Sequence, residues 1–328
     1  MLLLLLAVPA AFSTYWVQVL TTTVIYSIVA LGLGMLLGRV GMVSLCQIAL
    51  LGVAGWVALR LGFGTHLPFL VIVLLTGLIT AVAGVVVGLP ALRLHGLYLA
   101  LITLVAAAAI TLVLQTVNFP NGGHGFLGYD ATGPTDVSLG RPGVALTDVG
   151  YYRYTVIAAF VLFVLAVLHV RSRAGRAWAA IRQSQATAVA VGVNVTLYKM
   201  WAFALASFVT GIAGALLAAS SGGLTIFQFP VQDSITLLAV VLIAGVYSFW
   251  GAVVAAVSME LMPALLSNWG VTADILPILF GIGVLQIILT APAGVVEQLP
   301  RDLARLGRIL RHARPPGAAP APSRDQAA

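Results

Sequence analysis

The stretch Pro68–Leu89, PFLVIVLLTGLITAVAGVVVGL, carries no charged residue, and Thr76 and Thr80 are its only side chains able to hydrogen-bond. At a helical rise of about 1.5 Å per residue it is long enough to cross the roughly 30 Å hydrocarbon core of a bilayer. Apolar residues occupy every side of it. A barrel strand would instead alternate lipid-facing and lumen-facing residues. Comparable runs recur at Leu2–Phe12, Tyr15–Leu37, Gln47–Leu61, Gly96–Val117, Tyr152–Val170, Lys199–Ala219, Ser234–Val246, Ala252–Ser267 and Ile275–Ala291. The pattern predicts an all-α fold, a polytopic membrane helical bundle with about ten spanning or partly spanning segments. Several runs are short, so tilted, broken or re-entrant helices are expected, which require that protein cover the exposed backbone.

Composition leads to the same place. The chain of 328 residues is 61% hydrophobic and 8% charged, against roughly 25% charged in soluble proteins. The formal net charge of +7 does not mark a nucleic-acid binder, because the basic residues cluster in short connections and the tail without interleaved aromatics. Cys46 is the single cysteine, which excludes an intrachain disulfide and a cysteine metal site. The histidines (His66, His95, His124, His169 and His312) show no metal-ligand spacing, and no metal site is expected. Met1–Ser13 lacks the basic flank of a secretory signal and reads as a short first membrane segment, which a start site set too late would also explain.

Lys/Arg bias sets an expected topology. The connection 118–150 is glycine-rich and holds Asp130, Asp136 and Asp148 against Arg141, which places it outside. The connection 171–199 holds Arg171, Arg173, Arg176, Arg182 and Lys199 with no acid, and Arg301, Arg305, Arg308, Arg311, Arg314 and Arg324 follow the last run; both belong inside. Arg39 and Arg93 then also fall inside, while Arg60 falls outside, against the rule. Both termini are expected in the cytoplasm. The domains are a transmembrane region, residues 1–296, and a basic Pro/Ala-rich cytoplasmic tail, residues 297–328. The distal tail can bury no core and is expected to be disordered.

Enzyme chemistry has no foothold. A nucleotide-binding P-loop needs a lysine followed by Ser or Thr, and the one lysine, Lys199, stands between Tyr198 and Met200. The chain therefore has no ATPase site of its own. Glu260 is the one carboxylate well inside an expected span. It suits a pore or gate, and equally a residue neutralised by burial. Ser44, Gln47, Thr103 and Gln286 can line a pathway, and each also suits an ordinary interhelical hydrogen bond.

Gly88–Leu104, GLPALRLHGLYLALITL, puts Pro90 at a helix end, Arg93 and His95 in a short turn, and Gly96 at the next helix start. With Gly34–Gly55 (GMLLGRVGMVSLCQIALLGVAG), Asn121-Gly122-Gly123, Arg171–Gly214 and the Gly245–Gly251 turn, it resembles the LivM-type permeases of branched-chain amino acid ABC transporters. The resemblance covers residues 15 to 295 and departs at Cys46, where the family usually has glycine. It implies a LivH-type second permease subunit, two cytoplasmic ATP-binding subunits carrying ATP and Mg, and an extracytoplasmic solute-binding protein, all at a bacterial inner membrane. No cofactor is expected on this chain. The implied cargo is leucine, isoleucine or valine; urea, short amides or another amino acid group fit the same architecture, and a self-sufficient secondary carrier is the rival class.

The resemblance also makes the connection 171–199 the ATPase-docking segment, with Arg171, Arg173, Gly175, Arg176, Trp178, Ile181, Arg182 and Gly192. On one helix Ala177, Trp178, Ile181 and Ala188 share a face, with Arg176, Arg182 and Gln183 elsewhere. The apolar side is expected on the bundle, with Arg176 and Arg182 toward the cytoplasm or the ATPase. Gly192 suits the helix end. A basic juxtamembrane helix serving topology alone has the same pattern. The family usually has glutamates near Gln183–Gln185, and this chain has none.

Overall fold

The structure, a computed structural model, describes residues 12–91, 96–116 and 138–270 and a few single positions beyond. Residues 1–11 of the expected first segment, most of the expected last segment, the tail, Arg93 and Gln286 lie outside the described residues. The longer helices are α1 (Thr14–Met35), α2 (Gln47–Gly64), α3 (Phe69–Ala91), α4 (Leu97–Thr116) and α5 (Asp148–Arg171). They continue with α6 (Arg173–Gln183), α7 (Gln185–Ala190), α8 (Val195–Ser221), α9 (Val231–Ala244), α10 (Phe249–Ala256) and α11 (Met262–Asn268). Among the described residues there is no strand, and eight helical stretches are long and apolar enough to span a membrane. The chain is a polytopic helical membrane protein.

Helix α8 is the axis of the bundle. A Cβ on Gly211 would press on Gly77 and Thr80 of α3, and one on Gly214 would overlap Ala54 of α2. On α1, a Cβ at Gly32 would stand 2.9 Å from the Ala206 carbonyl of α8. Small residues bring these backbones together, which is how helices gain packing energy where lipid removes the hydrophobic drive. Apolar side chains turn outward on the periphery, among them Leu70, Leu74, Leu78 and Val82 of α3 and Phe160, Val164 and Leu168 of α5. These faces need lipid as solvent. Hydroxyls inside the spans bond back to their own helix, as Thr21 does to Val17 O (2.7 Å) and Thr80 to Thr76 O (2.7 Å).

Two spans are interrupted. After Met35 the first span continues as a π turn, Leu36–Val40, closed by Gly41 at φ 78°. Residues 41–46 are then irregular and largely buried, and α2 starts only at Gln47. Burial in protein is what makes such backbone tolerable at membrane depth. A second π turn, Val257–Leu261, divides α10 from α11. Helix α3 runs one residue past Pro90 before it stops, and Gly96 opens the next turn at φ 58°. Arg60, the charge at odds with the loop count, is fully buried in the last turns of α2 and does not belong to a connection.

Candidate functional site

One end of the bundle gathers the C-termini of α1, α5 and α9, the N-termini of α8 and α10, and the whole of α6. Helix α5 ends at Arg171, and Ser172 caps the next helix by accepting the Ala174 N–H. The chain turns there so tightly that a Cβ on Gly175 would overlap the Val170 carbonyl. Only glycine fits the elbow. Helix α6 then lies with Gly175, Ala177, Trp178 and Ile181 buried and Arg173, Arg176, Arg182 and Gln183 exposed.

The apolar face is anchored by more than burial. Trp178 is 0% exposed, and its Nε1 donates to the Tyr198 carbonyl of α8 at 2.9 Å. His169, in the last turn of α5, places its ring 5.0 Å from that of Trp178 and accepts a 3.0 Å bond at Nε2 from Trp201 of α8. Three helices are thus tied through one aromatic cluster.

Arg182 is exposed, as expected, and also bonds to the bundle. Its guanidinium turns onto the bundle, donating to the Gly38 carbonyl (2.7 Å) and the Tyr247 hydroxyl (2.6 Å). The guanidinium carbon sits 4.4 Å over the Tyr247 ring. Arg39 donates to the Tyr247 carbonyl at 2.9 Å and lies over Phe249. Tyr247, which sequence reading left unassigned, is therefore the hub between α6, the end of α1 and the α9–α10 turn. Arg176 is exposed.

The single helix expected through Ala188 is two. Ser184 is extended (φ −162°, ψ 123°), and its side chain accepts the Thr187 N–H, starting α7. Ala188 is buried on that second helix. Gly192 stands at φ 82° with its N–H bonded to Val189 O and the Val193 N–H to Ala188 O, the paired bonds of a Schellman stop.

The polar candidates divide. Ser44, Gln47 and Thr103 are all fully buried around the irregular stretch. Thr103 accepts the Leu45 N–H (3.0 Å), Gln47 Oε1 accepts the Thr210 hydroxyl (2.7 Å), and Ser44 Oγ lies 3.2 Å from Cys46 Sγ. These are interhelical and local bonds that hold the connection between the first two spans. Gln47 Nε2 is buried without a partner among the described residues. Glu260 is apart from them, half-buried on the second π turn. Helix α9 starts at Val231, earlier than its apolar run, so Asp233 also falls within a span.

At the opposite end, Arg141 pairs with Asp148 at 2.8 Å and reaches the Ser220 carbonyl at 3.3 Å. Tyr151 donates to the Leu216 carbonyl at 2.6 Å. The start of α5 is thereby clamped to the end of α8.

A membrane-spanning bundle with an amphipathic helix locked across one end suits a membrane subunit that works with a partner at that end. The chain belongs to the family of branched-chain amino acid transport system permease components, whose model matches residues 15–289. It is similar to the high-affinity branched-chain amino acid transport system permease protein LivM of Salmonella typhimurium, with 31% identity over 298 residues, covering 80% of this chain and 67% of the relative. LivM of Escherichia coli is 29% identical over 296 residues, with the same coverage. No solved structure matches the chain. As a LivM-type permease it is a multi-pass inner-membrane subunit of a multi-subunit transporter.

Proposed function

We propose that this chain is the permease half of an ATP-driven importer for branched-chain amino acids, fed by an extracytoplasmic solute-binding protein. It pairs with a LivH-type subunit, and two cytoplasmic ATP-binding subunits with their ATP and Mg dock on the end that carries α6. Helix α6 carries this reading: a helix locked by Trp178 and Arg182 on one side, with Arg173 and Arg176 free to face a partner on the other, can pass motion from a docked ATPase to α1, α5, α8 and the α9–α10 turn. The cargo follows from the relatives, whose names specify branched-chain amino acid transport.

The docking test is a pull-down. Arg173→Glu with Arg176→Glu should recover several-fold less ATPase from correctly inserted protein, because a reversed charge pair meets the partner. Undiminished recovery together with full uptake would reduce α6 to a topology device.

Sidedness has its own test. The basic α6 end belongs in the cytoplasm and the Arg141–Asp148 end outside, by Lys/Arg bias. In a Cys46→Ala background, a cysteine at position 136 should react with an impermeant reagent from outside, and one at position 176 only after permeabilisation. The reverse labelling pattern would invert the topology and remove the ATPase from this end.

A further inference from the structure

The α9–α10 hairpin turns at Gly245–Ser248, where Arg39 of α1 bonds to the Tyr247 carbonyl and lies over Phe249. Outward from that tie, α1 packs on α10 and on the second π turn, and α9 packs on all three. Tyr26 stands 13 residues before Arg39, Asp233 12 before Gly245 and Glu260 11 after Phe249. At about 1.5 Å per residue those offsets reach about 17–20 Å, so the three residues share one level. That level is near the middle of a hydrocarbon core roughly 30 Å thick.

They also share a seam. Tyr26 is one turn outward from Ala30, which lines a narrow cleft with Val241 of α9 and Ala252 of α10. Asp233 has the helical spacing of Val240 and Ala244, both buried. The π turn winds less per residue than an α turn, which keeps Glu260 above Ala256 instead of letting it rotate past. Tyr26 is 7% exposed, and its hydroxyl makes no hydrogen bond among the described residues. Between Lys199 and Arg301 the sequence has no lysine, arginine or histidine, so the hairpin brings no cation for its two carboxylates.

Two carboxylates at one level in a low dielectric repel each other, and a cation from outside relieves that repulsion. Calcium needs six to eight oxygen ligands, and among the described residues no third acid, histidine or thiol joins this pair. A primary ammonium has only three N–H donors. Asp233, Glu260 and the Tyr26 hydroxyl oxygen supply three acceptors.

We propose that Tyr26, Asp233 and Glu260 form a site for a primary ammonium group. In the importer described above, a reading on which this part of the assignment rests, that group belongs to the amino acid in transit.

Saturation-transfer NMR on the full chain in neutral detergent reads the site without ATPase or binding protein. The probes are L-leucine, isopentylamine, which lacks its carboxylate, and 4-methylpentanoate, which lacks its ammonium. Leucine and isopentylamine should bind, and 4-methylpentanoate should not. Glu260→Gln and Asp233→Asn should each weaken amine binding about tenfold, the loss of one charge-assisted hydrogen bond. Tyr26→Phe should weaken it less, and Gln232→Ala, on the exposed side of α9, should leave it unchanged. Both carboxamide variants keep the volume of the acid, so thermal unfolding should stay close to wild type. Amine binding that is absent from wild type, or unchanged in both carboxamide variants, would overturn the site. Equal binding of 4-methylpentanoate would reduce it to an apolar pocket, and displacement of the amine by equimolar sodium would make it an inorganic-cation site; either refutes the assignment. Binding of isopentylamine without leucine would uphold the ammonium site and remove amino acids as its cargo, so the two readings fail separately.

Discussion

Gly175→Ala is expected to cut cargo uptake by the assembled transporter roughly fivefold or more while the protein still inserts in the membrane. The added methyl would overlap the Val170 carbonyl, a backbone atom in the preceding helix end that has no rotamer to yield with. Forced contacts of this kind cost ~1–3 kcal/mol, which lowers the ratio of docked to displaced α6 by about 5- to 160-fold. The damage is local. Trp178 and Arg182 lie beyond the elbow and lose their partners only because the helix leaves at a new angle. Labelled-leucine uptake, normalised to the amount of chain in the membrane fraction, gives the measurement. Gly192 is the informative contrast. It has a positive φ of 82° but nothing within 4 Å of its missing Cβ. Alanine there meets only the left-handed backbone penalty of about 1–2 kcal/mol, so Gly192→Ala should be the milder variant. Wild-type uptake from Gly175→Ala would mean that the angle between α5 and α6 does not matter to transport.

The spans were legible because membrane helices are written in long apolar runs, and each of the eight described here overlaps such a run. The buried face of α6 was legible for a similar reason: Ala177, Trp178 and Ile181 recur at helical spacing among arginines. Interruptions were harder to read. The π turns at Leu36–Val40 and Val257–Leu261 leave the composition of a span unchanged, and only their hydrogen-bond register differs. The break at Ser184 has a local signal, a serine three residues before Thr187, but a serine within a helix reads the same way. The bonds of Arg182 were not legible, because its partners, the Gly38 carbonyl and Tyr247, are distant in sequence and neither is charged. Pairings of that kind become visible only when the helices are assembled. The same holds for Arg60, whose burial no count of loop charges reveals.

Trp178→Ala should produce the largest loss of stability in the basic end of the bundle. Removing a fully buried tryptophan costs ~3–5 kcal/mol through lost contacts and the cavity left behind. Here the loss falls where α5, α6 and α8 meet, since the ring packs on His169 and its Nε1 holds the Tyr198 carbonyl. Trp178→Phe separates the two contributions. It keeps an aromatic ring against His169 but gives up the 2.9 Å hydrogen bond, worth about 1 kcal/mol. Thermal unfolding of the purified chain in detergent should therefore rank wild type above Phe and Phe well above Ala. Cysteine accessibility supplies the local readout: in a Cys46→Ala background, a cysteine at buried position 177 should react slowly in wild type and Trp178→Phe and fast in Trp178→Ala. If position 177 stays protected in Trp178→Ala, then Ile181 and Arg182 suffice to hold α6, and the tryptophan is not its anchor.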